Sequence, residues 1–212
     1  LLVNPPAPKP KPEEQGKNKN KPPKDILPGE MLRTWPFWLC FGMVLLAAPT
    51  MLLFSPVIVK LGQERGLSEG AAHLSIVVGS FGSAAGRILC PMKSDSAGRR
   101  RVCMALFAAL AALSAWLAFA PGWQLIACYT GLAFCYSGLA AVMPALSSDL
   151  FGLPHAGINY GFMALGMTAG SLGSWALNRG LSQGAYRHWI AVGAAILGGV
   201  CAKRLKPTVQ GQ

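Results

Sequence analysis

Six long, mostly apolar stretches, joined by short segments that carry nearly all of the charge, constrain this chain more than any other feature. None of its eight acidic residues (Glu13, Glu14, Asp25, Glu30, Glu64, Glu69, Asp95, Asp149) falls within such a stretch. A helix needs about 20 residues to cross a hydrocarbon core of roughly 30 Å, and there every backbone polar group must find its partner within the protein. With 52% apolar and 13% charged residues, a domain facing water would struggle to cover its surface. The pattern therefore predicts an all-α membrane protein, a bundle of six transmembrane helices over 32–202. It also predicts a disordered basic tail over 1–31 and a short polar tail over 203–212.

The first span is expected over 35–59, with Trp35 and Trp38 as interfacial anchors and Pro49 and Pro56 as kinks. The second, 71–92, repeats small residues at helical spacing (Gly79, Ser83, Gly86, Cys90), which favours close helix packing. The third, 102–120, is almost wholly Ala, Leu, Val and Phe and is expected to face lipid. The fourth, 123–146, carries Tyr129, Thr130, Tyr136 and Ser137. The fifth, 158–181, has Gly166 and Gly170 at GxxxG spacing. The sixth, 188–202, is short for a span, so that either it starts earlier with Arg187 snorkelling or the chain lacks residues.

Alternating the loops across a bilayer tests this layout. One side collects fourteen basic residues: Lys9, Lys11, Lys17, Lys19, Lys21, Lys24, Arg33, Lys93, Arg99, Arg100, Arg101, Lys203, Arg204 and Lys206. The other side holds four, Lys60, Arg65, Arg179 and Arg187. That bias predicts cytoplasmic termini and an even span count. It also accounts for the net charge of +11 without a nucleic-acid partner. The tail, rich in Pro, Lys, Asn and Glu, cannot bury enough apolar area to offset its ordering entropy. The chain begins at Leu1 with no signal-like apolar run, which reads as a fragment or an internal cut.

The six cysteines form no CxxC pair and cluster with no histidine, so they read as small apolar packing residues. The three histidines are far apart and near span ends, and neither a metal nor a cofactor is expected. HExxH and Walker patterns are absent from the sequence, which argues against an enzyme.

The remaining basic residue, Arg87, lies six positions before Lys93, hence about 9 Å deeper along the helix. A charge at that depth is costly and should face the bundle interior or a wet cavity. No acid in another span can pair with it, and a guanidinium fork matches a carboxylate, so the pattern invites an anionic ligand. The alternative is that Arg87 caps backbone carbonyls or pairs with Asp95 near the surface.

Pro91 to Arg101, PMKSDSAGRRR, resembles the GxxxDxxGRR loop motif of the major facilitator superfamily, with Asp95, Gly98, Arg99 and Arg100 at matching places and Pro91 where the leading glycine stands. The resemblance implies a conformational latch in which the acid meets a neighbouring helix end and an arginine. A carboxylate at a helix N-terminus would also gain from the dipole. Gly86 and Arg87, the run FCYSGLAAVMPALSSDLFG from Phe134 to Gly152, and Asn159, Tyr160 and Gly161 resemble the oxalate/formate antiporter and monocarboxylate transporter branch. Over 32–202 the resemblance implies the C-terminal six-helix half of a twelve-helix secondary transporter, with the basic tail as central linker and an N-terminal half as partner. It further implies that Arg87 binds the carboxylate of a small organic anion. The branch's oxalate carrier uses a lysine in the fifth of these spans, and Ile158 to Ala176 holds no Lys or Arg, which favours a monocarboxylate.

Tyr129, Tyr136 and Asn159 are then candidate polar partners of the substrate, although each tyrosine also fits an interfacial anchor or a packing residue. Asp149, in SSDLFG, reads as part of a structural turn. With no acid inside a span, proton coupling has no evident carrier in this chain. The competing reading is a non-transporting sensor or assembly subunit that keeps the fold.

Overall fold

The computed structural model describes residues 26–180 and 186–205. Among these, eight helices follow in order: α1 (Pro28–Met31), α2 (Trp35–Leu52), α3 (Ile58–Glu64), α4 (Glu69–Ala97), α5 (Arg99–Phe119), α6 (Gly122–Phe151), α7 (Ala156–Gly180) and α8 (Tyr186–Arg204). Six are long, and they lie where the six apolar runs lie. Four of them, α2, α4, α5 and α6, are long and apolar enough to cross a membrane. The glycines, the two asparagines and Arg179 of α7, and the glycines and basic residues of α8, dilute the apolar character of those two helices.

Local chemistry sets the boundaries. The Ser68 hydroxyl accepts from the Ala71 amide at 3.3 Å and caps α4, with Glu69 in the first turn where the helix dipole favours an acid. Between α4 and α5 only Gly98 intervenes, at φ +89°, a conformation that other residues adopt only under strain.

Glycine lets three helix pairs close on one another. A Cβ on Gly82 would lie 2.7 Å from the Thr130 carbonyl oxygen, and one on Gly86 would overlap that of Phe134, so α4 and α6 run parallel in backbone contact. Gly166 and Gly170 press on the Phe41 and Leu45 carbonyls, at 2.7 and 2.5 Å from a Cβ built there, joining α7 to α2 through the GxxxG pair. Gly198 receives the Phe107 ring, joining α8 to α5. The side chains of Met43, Phe54, Phe107, Leu132, Leu139 and Phe151 are fully buried in the core between these pairs. All six cysteines are free, and five are buried as apolar packing residues.

Several boundaries differ from the sequence expectation. The first span ends at Leu52, and residues 53–57 turn before α3, because Pro49 and Pro56 interrupt the amide ladder. The second runs on to Ala97, through Pro91 and most of the polar motif, so Asp95 belongs to the last turn of α4 rather than to a helix N-terminus. The dipole argument for that carboxylate is therefore withdrawn. α5 shows lipid only one stripe, since Cys103, Leu106, Phe107, Leu110 and Leu117 are buried. SSDLFG is helical up to Phe151, and the turn comes at Gly152, at φ +94°. The sixth helix gains residues at both ends, which relieves the short reading. Of the tail expected to be disordered, residues 1–25 lie outside the described residues. Ile26 donates its amide to the Phe151 carbonyl at 3.1 Å, and Met31 is fully buried. At the other end, Lys203 and Arg204 belong to α8, and 206–212 lie outside the described residues.

Candidate functional site

Arg87 stands on α4 ten residues from its last residue, Ala97, which corresponds to about 15 Å along the axis. Lys93 lies on the same helix, so the separation of about 9 Å between Arg87 and Lys93 is as expected. The side chain is exposed on the described chain, and no hydrogen bond or ion pair to it forms among the described residues. Asp95 is not its partner; that carboxylate meets Arg99.

The residues around Arg87 follow from the parallel register of α4 and α6, in which Gly82 faces Thr130 and Gly86 faces Phe134. Ser83, one turn back on α4, shares a hydrogen bond with Ser137 of α6 at 2.6 Å between hydroxyl oxygens. Tyr136 lies at almost the level of Arg87, and the Arg87 charge acts on its hydroxyl. On its other side Tyr136 lines an apolar dimple of about 10 Å³ with Val44, Ala47, Leu139, Ala140, Met143 and Met167. One cation and three hydroxyls thus fall within about one helical turn, and the hollow runs on from Tyr136 to Met143 of α6. A guanidinium can take a carboxylate through two parallel N–H donors, and hydroxyls can complete its lone pairs.

Tyr129 and Asn159 are placed elsewhere. The Tyr129 ring is buried against Gly79, where a Cβ would lie 2.7 Å from the ring, and its hydroxyl meets Ser55 at 3.4 Å. Gly79 is eight residues from Arg87, about 12 Å along α4. Asn159 is fully buried in the first turn of α7, with its amide donating to the Ile26 carbonyl at 3.4 Å and its Oδ1 without a partner among the described residues. It tethers the segment that enters α1.

The motif residues converge at the α4–α5 junction. Arg99 donates Nε to Asp149 of α6, Nη1 to Asp95 at 2.9 Å, and Nη1 also to the Ser94 hydroxyl at 3.2 Å. Arg100 donates to the Lys203 carbonyl at 2.7 Å, in the last turn of α8, where unpaired carbonyls and the dipole favour a cation. Gly98 supplies the turn that brings both arginines to their partners. Where the motif's leading glycine is replaced by Pro91, the close approach shifts one residue and is supplied by the opposite helix, as Cys90 packs on Gly138.

Sequence reasoning missed Asp149 as the buried partner of Arg99, and Ser83 and Ser137 as a polar pair beside Arg87. The 50-residue separation of Arg99 and Asp149 hides that contact. The serines carried a weak signal, for Ser83 lies one turn from Arg87 and Ser137 directly follows Tyr136.

The family model described as the Major Facilitator Superfamily matches residues 39–210. No curated protein matches the chain.

Proposed function

The chain belongs to the major facilitator superfamily, and from that membership we propose that it forms a six-span half of a secondary transporter for small organic anions, chiefly monocarboxylates. Members of this family are transporters, not enzymes, and work on small molecules as multi-pass proteins of the bilayer. In the proposed arrangement all six long helices cross the membrane, both termini are cytoplasmic, and a second six-helix half completes the cavity. Arg87 recognises the carboxylate, and Tyr136 and the Ser83–Ser137 pair hydrogen-bond around it. Tyr129 and Asn159 support this site by holding helices in place. Asp95, Gly98, Arg99 and Arg100 form a latch, with Asp149, that ties the cytoplasmic ends of α4, α5, α6 and α8. Alternating access is then a rocking of this bundle against its partner half.

The observation that carries this reading is the guanidinium of Arg87, about 15 Å from the end of α4 and without an acidic partner among the described residues. A charge held in that position is costly unless a counter-charge arrives. The test is binding of formate, lactate, pyruvate and oxalate to the full-length protein, compared with Arg87→Ala and Arg87→Lys. Losing a charge-assisted hydrogen bond should weaken carboxylate binding by about 10- to 100-fold in Arg87→Ala. Arg87→Lys keeps the charge and loses the fork, so it should fall between. Unchanged binding in Arg87→Ala would refute the anion reading and leave the family membership intact.

A further inference from the structure

Among the described residues outside the Arg87 region, the densest unpaired charge lies where α5 begins and α8 ends. The bond from Arg100 Nη2 to the Lys203 carbonyl, at 2.7 Å, fixes these two turns side by side. Arg101, Lys203 and Arg204 are all exposed there, and none makes an ion pair among the described residues. Neither α5 nor α8 contains an acidic residue, and the nearby carboxylates of α4 and α6, Asp95 and Asp149, are both engaged by Arg99. The first turn of α5 has no side-chain cap, and Arg100 Nε is buried without an acceptor. These are unmet donors of one sign at one place.

The surface leading away from them is apolar and shallow. From Arg101 down to Ala112 the exposed positions of α5 are Ala105, Ala108 and Ala112, spaced at 4, 7 and 11 residues on a single face, with Trp116 and Phe119 exposed beyond them. Below Lys203 and Arg204, α8 exposes Val200, Leu197 and Ile196. From Arg101 to Ala112 is about 16 Å, close to half of a roughly 30 Å hydrocarbon core, which is the reach of one leaflet. A free anion would meet only water-exposed charges, which salt screens. A lipid would add burial of its chain along the alanine strip.

We propose that the first turn of α5 and the last turn of α8 bind the phosphate headgroup of an anionic phospholipid through Arg101, Lys203 and Arg204, with an acyl chain lying along Ala105, Ala108 and Ala112. The site is separate from the Arg87 region and does not depend on which substrate is carried. Occupancy clamps α5 to α8, because the ligand spans both helices.

The experiment titrates phosphatidylglycerol into the full-length protein held in phosphatidylcholine nanodiscs and follows the thermal midpoint. The unmodified protein should show a saturable rise. At about fivefold weakening per basic residue removed, the triple variant Arg101→Gln, Lys203→Gln, Arg204→Gln should need on the order of a hundredfold more phosphatidylglycerol for the same rise. Inorganic phosphate at matched concentration should produce no rise. Three outcomes would overturn the proposal: a rise retained by the triple variant, the same rise with phosphate alone, or an equal loss in the control Lys60→Gln, Lys93→Gln, whose charges lie on α3 and α4.

Discussion

Each end of the bundle is pinned by an arginine, but the partners differ in kind. At the α3 end, Arg65 donates to the Leu117, Ala118 and Ala120 carbonyls at 2.7, 3.2 and 2.6 Å. These are the terminal acceptors of α5, left without intrahelical donors and favourably placed in the helix dipole for a cation. At the Gly98 end, Arg99 instead meets two carboxylates, Asp149 and Asp95. Their surroundings separate them: the Asp149 side chain is 13% exposed, like that of Arg99, whereas Asp95 is 66% exposed. A clip onto carbonyls joins α5 to the loop after α3 through groups that exist only while the α5 terminus is helical. A pair of carboxylates can be exchanged for water without unfolding any helix, so under the proposed rocking the Gly98 end is the one expected to open.

The largest effect should come from Asp149→Asn. Removing the less exposed of its two carboxylates leaves the Arg99 charge with only the water-exposed Asp95, at a cost of about 3 kcal/mol. Unfolding can be followed by a thiol-reactive fluorophore, since Cys40 and Cys103 are fully buried in the native bundle. Asp149→Glu, which keeps the charge, should recover part of the loss. A cost below that of Asp95→Asn would reverse the ranking of the two carboxylates.

Arg65→Gln should come next, at about 2 kcal/mol, because the bonds are charge-assisted but water can reach the freed carbonyls at the helix end. The thiol assay gives the stability. Transport tells the two ends apart: Arg65→Gln should lower stability with little change in the balance of inward and outward states, while Asp149→Asn should shift that balance, as read by access of an external label. Equal shifts from both would remove the distinction between clip and latch.

How much of this was open to sequence reading depends on the range of the interaction. The six helices announce themselves through apolar runs, and the α2–α7 contact was foreshadowed by Gly166 and Gly170, because GxxxG spacing is a local signal. The continuation of α4 to Ala97 was hidden, since polarity rises through Lys93, Ser94 and Asp95 while the helix carries on past Pro91. Asp149 gave no sign of its role. Its partner lies 50 residues away, and only the parallel packing of α4 on α6 brings the α6 end to the α5 start. Asn159 misled for the same reason: the carbonyl it binds belongs to Ile26, 133 residues earlier. Arg87 stands out in the sequence, because a cation inside an apolar run contrasts with everything around it, and carboxylate binding by Arg87→Ala decides its role.

The smallest expected effect is also the one that separates motif from mechanism. Asp95 is the acid that the loop motif names, and its 2.9 Å contact with Arg99 is real, but two thirds of its side chain is in water. An exposed pair gains little net energy and is screened by salt, so Asp95→Asn should cost at most about 1 kcal/mol, and that cost should vanish near 1 M salt, where the Debye length falls to about 3 Å. The cost of Asp149→Asn should persist under the same salt, since burial shields that pair from mobile ions. If Asp95→Asn instead proves as costly as Asp149→Asn and equally indifferent to salt, then Asp95 is withdrawn from water in another state of the transporter. The Gly98 end would then hold Arg99 between two buried carboxylates in turn.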